Sequence, residues 1–167
     1  MYNQHFGLHD NPFSIAPDPR FLFLGARHEE ALAHLLYGIV ESRGFVQLTG
    51  EVGTGKTTVT RALLRRLPAN IDVALILNPR LNAAEFVASI LEDLGVPYDS
   101  QYATLKRLVD TLNRYLLATH ARGRNVVVIV DEAQTLERDV LEQIRLLTNL
   151  ETDERKLLQI VLVGQPE

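Results

Sequence analysis

The sequence predicts an α/β fold: a parallel sheet covered by helices on both faces. Three observations carry that expectation. Apolar strand-like runs alternate with amphipathic helical stretches along the chain, the order that builds a parallel sheet through crossover helices. One run, Val126-Val127-Val128-Ile129-Val130, is β-branched or aliphatic throughout with no polar alternation, so both of its faces need cover. Another, Phe45-Val46-Gln47-Leu48, reads as a buried strand and leads into Gly50-Glu51-Val52-Gly53-Thr54-Gly55-Lys56-Thr57, the spacing G-x-x-x-x-G-K-T, with a helical pattern after it.

The elements follow in chain order. Residues 1–26 carry Tyr2, Phe6, Phe13, Phe21 and Phe23 among Pro12, Pro17 and Pro19, which suits an extended strap laying aromatics on the core, or one that also walls a base pocket. A helix is expected from Arg27 to Ser42, with Ala31, Leu32, Leu35, Leu36, Ile39 and Val40 as its apolar stripe and Gly44 as its stop. After the glycine loop, Val59, Leu63 and Leu67 share one helical face, and Pro68 breaks the helix. Ile71 to Leu77 reads as a second buried strand. Asn82 and Glu85 form an N-x-x-E capping pair that opens a helix with Phe86, Val87, Ile90, Leu91 and Leu94 inward, closed by Gly95. A further helix sets Leu105, Leu108, Val109, Leu112 and Leu116 on one face and ends near Gly123. Beyond the β-branched run, a helix is expected over Arg138 to Leu150 and a last strand over Leu157 to Val163.

Composition bounds the reading. A chain of 167 residues suits one domain that buries about 70% of its unfolded surface. With 46% hydrophobic and 23% charged residues it is globular in type. The net charge of −4 provides no global basic field for nucleic acid or anionic lipid. The absence of cysteine excludes a disulfide framework and a thiolate metal site, and fits a reducing compartment. The N-terminus lacks the basic and apolar blocks of a signal peptide, and no apolar run approaches the roughly 20 residues of a membrane helix. A soluble, cytoplasmic segment is expected.

The chemistry concentrates at two places. In the first, glycines allow successive backbone N–H groups to face one concavity at a helix N-terminus, which favours a polyphosphate. Residues Gly50, Glu51, Val52, Gly53, Thr54, Gly55, Lys56, Thr57 and Thr58 form this phosphate loop; Lys56 is expected on the β- and γ-phosphates and the Thr57 hydroxyl on Mg²⁺. The second is Asp131-Glu132, at the carboxyl end of the β-branched strand, where ligands bind in open α/β sheets. Asp131 is expected to orient Mg²⁺ and Glu132 to act as general base on the attacking water. Gln165, past the last strand, is placed to contact the γ-phosphate or that water. Arg61, Arg65 and Arg66 read as a solvated basic face, and the five histidines show no metal-ligand spacing.

These phrases carry a resemblance. GEVGTGKTT, VVVIVDEAQ and IVLVGQPE resemble the AAA+ branch of P-loop ATPases with their Walker A and Walker B motifs. FGLHDNPFSIAPDPRFLFLGARHEEALAHLLYGI and LEQIRLLTNLET are similar to the ExeA/GspA-type ATPases of bacterial type II secretion and pilus biogenesis. The resemblance implies an Mg-dependent ATPase that assembles or energises an envelope secretion or pilus system. Its implied ligands are ATP and Mg²⁺, with Lys56, Glu132 and Gln165 (as sensor 1) in catalysis. It also implies a homo-oligomer through ATPase faces, partners in the secretion or pilus machinery, and inner-membrane anchoring of the full-length protein. Residues 27–167 then form an AAA+ core that stops after the sensor strand, in a sheet of order 5-1-4-3-2 lacking its fifth strand and helical lid. Low activity and self-association along the exposed first strand are expected of such a fragment. A transposition-type AAA+ ATPase acting on DNA is the alternative, disfavoured by the acidic balance; a small-molecule phosphotransferase is disfavoured by Glu132.

Overall fold

The computed structural model describes residues 5–7, 23–41, 44–77, 79–152 and 156–166. Four strands form one sheet: β1 (Phe45–Thr49), β2 (Ile71–Ile76), β3 (Asn125–Val130) and β4 (Leu158–Gly164). All pairings are parallel and the order is β1-β4-β3-β2, which agrees with the expected order for the four strands present. Among the described residues five α-helices cover the sheet: α1 (Ala26–Val40) precedes β1, and α2 (Lys56–Arg66), α3 (Ala83–Asp93), α4 (Leu105–Ala121) and α5 (Arg138–Leu147) lie in the connections between strands.

The uninterrupted apolar run of β3 is explained by two cores. Val126, Val128 and Val130 pack with Phe86, Ile90, Leu112, Leu116, Val140 and Ile144 from α3, α4 and α5. Val127 and Ile129 face the other way, against Leu32, Leu35 and Ile39 of α1 and Val59 and Leu63 of α2. Alternate residues of one strand thus feed opposite layers, the consequence of its two-residue side-chain period. Every residue of β4 is buried, as befits the strand between β1 and β3.

Helix α3 begins as its capping pair requires. Glu85 N–H donates to Asn82 Oδ1 at 3.0 Å and Asn82 N–H to Glu85 Oε2 at 2.9 Å, satisfying two otherwise orphaned donors. Thr104 caps α4 in the simpler way, accepting from Arg107 N–H at 3.4 Å.

Several expected boundaries shift. α1 ends at Val40 rather than Ser42, and its C-cap is Glu41, not Gly44. Val40 is 56% exposed, so the apolar stripe ends a residue earlier than the pattern implied. α5 stops at Leu147 rather than Leu150, because its end tightens: Asn149 and Leu150 N–H bond to the carbonyls three residues back, Leu146 and Leu147. Leu77, expected in β2, lies past its end and is 64% exposed. β1 is not fully buried: Val46 and Leu48 pack under α1 and α2, whereas Phe45, Gln47 and Thr49 are exposed. Among the described residues its one strand partner is β4, which leaves that edge open. The expected strap over 1–26 falls largely outside the described residues, as does the base-pocket wall; Ala26 already belongs to α1. Among the described residues no helix is long and apolar enough to cross a membrane.

Candidate functional site

The glycine loop joins β1 to α2 at the carboxyl end of the sheet. Its last residue, Gly55, is the N-cap of α2 and adopts φ +85°, ψ 20°, a left-handed conformation that L side chains resist. A Cβ there would also lie 2.9 Å from His28 Nε2. The first intrahelical bond of α2 runs from Val59 N–H to Gly55 O at 3.0 Å, so the N–H groups of Lys56, Thr57 and Thr58 have no acceptor within the helix. α2 carries no acidic residue in its first turn and ends on Arg65 and Arg66, so no carboxylate of its own offsets the positive end of its dipole. Free N–H groups at the positive end of a helix dipole are a setting that favours an anion.

Lys56 lies across the loop. Its Nζ donates to Gly50 O at 2.7 Å and Glu51 O at 2.9 Å, which engages two of its three N–H groups. The Thr54 hydroxyl donates to Glu51 O at 2.8 Å. Thr57 is exposed at the head of α2, and Thr58 is half-buried behind it.

His28 holds the loop from the α1 side. Gly25 N–H donates to its Nδ1 at 3.3 Å, so Nδ1 is the acceptor nitrogen and Nε2 carries the proton. Nε2 then donates to Thr54 O at 2.9 Å.

The second half of the site follows β3. Asp131 N–H donates to Ile76 O at 2.9 Å, which fixes its backbone beside the end of β2. Its Oδ1 accepts from Glu132 N–H at 2.9 Å. Glu132 has φ +53°, ψ 38°, and is the one non-glycine of positive φ among the described residues. Such backbone strain gathers at functional positions. A 3-10 turn over Ala133–Thr135 stabilises it, with Thr135 N–H and Oγ1 both donating to Glu132 O at 2.9 Å. The Glu132 carboxylate is exposed and accepts from Gln134 Nε2 at 2.6 Å, while Gln134 Oε1 accepts from Gln165 N–H at 3.1 Å.

The tip of β4 lies between the two halves and touches both. Gly50 N–H donates to Gly164 O at 3.2 Å, and the next residue, Gln165, is bonded to Gln134. The topology therefore brings the phosphate loop, Asp131-Glu132 and Gln165 to one end of the sheet, with β4 flanked by the strands that carry the other two.

Residues 39–167 match the family described as the AAA domain. The chain belongs to that family. The four-stranded parallel sheet with helices on both faces is the P-loop NTPase fold. General secretion pathway protein A of Aeromonas hydrophila is 58% identical over 167 residues, covering 100% of this chain and 30% of that protein. The chain thus spans about 30% of the length of this relative. Among solved structures, Cdc6p from Pyrobaculum aerophilum superposes with a TM-score of 0.71 at 21% identity, over 92% of this chain and 42% of that one. The ORC2 protein of Aeropyrum pernix gives a TM-score of 0.63 at 18% identity, over 93% of this chain and 43% of that one. At such identities these two bear on the fold alone.

Membership of the AAA domain family carries nucleotide binding in general. The donors that Thr57 and Asp131 offer, a hydroxyl and a carboxylate, are hard oxygen ligands that suit Mg²⁺, an ion that keeps several waters and binds through few protein groups and substrate phosphates. Among the described residues no group of three or more His, Asp or Glu forms a metal cage.

Two residues that contact the glycine loop and Glu132 are not picked out by the sequence. His28 is one of five histidines without ligand spacing, and Gln134 stands in the Asp-Glu-Ala-Gln phrase with no role of its own. Gln134 carried a signal, its place two residues after Glu132 in a turn. His28 carried none, because its loop partner, Thr54, is 26 residues away. Of the basic cluster, Arg66 is not simply solvated: it forms a two-pronged contact with Glu29 of α1, at 3.1 and 3.3 Å.

Proposed function

We propose that this chain is the ATP-binding and ATP-hydrolysing AAA+ module of a bacterial envelope secretion or pilus system. The observation that carries the reading is the bonded tip of β4, with Gly164 accepting from the phosphate loop and Gln165 held by the partner of Glu132.

In this reading residues Gly50 to Thr58 bind the triphosphate with backbone N–H groups and the helix dipole. Lys56 contributes its ammonium to the β- and γ-phosphates while anchored on the loop carbonyls. Thr57 and Asp131 are the residues that would hold Mg²⁺, and the ion would supply charge neutralisation for the triphosphate. Glu132 accepts the proton of the attacking water through the carboxylate oxygen that Gln134 does not engage. Gln165 reports on the γ-phosphate from the end of β4. Homo-oligomerisation through ATPase faces and partners in the secretion machinery are the further expectations, supported by the identity to general secretion pathway protein A.

The test is product analysis with Mg-ATP. Release of free phosphate that requires Lys56 and Glu132 supports hydrolysis. A phosphorylated acceptor in place of free phosphate contradicts it.

A further inference from the structure

We infer that Gln134 is a positioning residue that ties the Glu132 carboxylate to the end of β4. The inference rests on the reading of Glu132 as the base. It begins from one side chain making two opposite hydrogen bonds: Gln134 Nε2 donates to Glu132 Oε2 at 2.6 Å, and Gln134 Oε1 accepts from Gln165 N–H at 3.1 Å.

Those partners dictate both the residue type and its orientation. An ionised carboxylate only accepts and a backbone N–H only donates, so the bridge must offer a donor on one side and an acceptor on the other. A primary amide does this in one orientation; the flipped amide would set oxygen against carboxylate and N–H₂ against N–H. A glutamate at this position would bring a second negative charge to Glu132. The bond to Glu132 is charge-assisted, the stronger class.

The bridge is also sterically seated. A Cβ on Gly164 would lie 2.8 Å from Gln134 Oε1 and 3.2 Å from Gln134 N, so the amide packs closely over this glycine and a side chain there would push it aside. The carbonyl of Gly164 accepts from Gly50 N–H at 3.2 Å. From the phosphate loop to Glu132 the links are Gly50 to Gly164, Gly164 to Gln165 by the chain, then Gln165 to Gln134 and Gln134 to Glu132. With Oε2 pinned, no hydrogen bond within the described residues occupies Oε1 of Glu132, and this oxygen is available to a water. Gln134 therefore sets where the base points without touching the nucleotide.

The experiment measures Mg-ATP affinity by calorimetry, and steady-state kcat and KM, in the full chain. It compares Gln134→Ala and Gln134→Met, the second keeping the length of the side chain without its amide, each alone and combined with Glu132→Gln. The expected result is a loss of kcat by about 10–100-fold, with affinity, KM and melting temperature unchanged. In the Glu132→Gln background the same changes should add less than about twofold, as expected of groups that act as a unit. Unchanged or raised kcat in Gln134→Met, with Glu132→Gln strongly impaired, overturns the inference alone. An equal fold-loss in both backgrounds does the same. Wild-type turnover in Glu132→Gln overturns the reading of Glu132 and the inference with it.

Discussion

Lys56 Nζ and the carbonyl of Gly50 are 2.7 Å apart, a contact that spans the phosphate loop from its last turn back to its first glycine. The ammonium is thus held by its own loop, with Glu51 O as second acceptor at 2.9 Å. Lys56→Ala removes this anchor and the charge offered to phosphate, a charge-assisted contact worth roughly 1.5–3 kcal/mol. The expected outcome is a fall in Mg-ATP affinity of about ten- to hundredfold. Calorimetry reads it directly, and an unchanged dissociation constant would remove the loop from the binding site.

Gly55 and His28 should behave as a coupled pair. Gly55→Ala places a side chain at φ +85°, which costs about 1–2 kcal/mol, and drives its Cβ to 2.9 Å from the imidazole. A drop in melting temperature of about 2–8 °C is expected for a chain of this size. His28→Ala relieves the crowding but not the backbone conformation, so the double variant should lose less than the sum of the two. Strict additivity in thermal melts would show that the imidazole does not press on the loop.

How far this was legible follows from distance along the chain. The β3 run announced its two-sided burial because side-chain alternation is local. The Asn82–Glu85 pair was legible for the same reason, its partners being three residues apart. Glycine loop, Asp131 and Glu132 were legible as motifs. The half-exposure of β1 was not visible in its own apolar run, because burial depends on which strand lies alongside; only the resemblance, which leaves that strand at an edge, led to it. Nor was His28, whose imidazole acts on Thr54, and of the two bonds of Gln134 only the local one to Glu132 left a trace in the sequence, the other reaching Gln165, 31 residues on. Helix ends at Val40 and Leu147 were misplaced by a turn or less, where the apolar pattern outlasts the hydrogen bonding.

An acid-sensitive contact holds the opposite end of the sheet. Asp72, in β2, accepts from Arg124 through both Nε and a terminal nitrogen, and from Tyr115 Oη at 3.2 Å. The Arg124 hydrogen bond chiefly holds its carboxyl below the usual value, against an opposing effect of burial, while burial pushes the Tyr115 phenol up. A carboxylate depressed on folding stabilises the native state above its unfolded value of about 3.9, and that stability is lost as pH falls through the folded value. Asp72→Asn should therefore lower the melting temperature by a few degrees at neutral pH and by progressively less below pH ~4. Wild-type and variant curves that stay parallel down to pH ~2 would contradict this linkage.

The most direct test of the account separates binding from chemistry at Glu132. Glu132→Gln keeps size and hydrogen-bonding shape but cannot take up a proton from water. Mg-ATP affinity and phosphate release should be measured side by side on wild type and variant. The account predicts affinity within about twofold of wild type and turnover lower by about 10²–10⁴. Wild-type turnover in the variant, or loss of binding together with turnover, would contradict it.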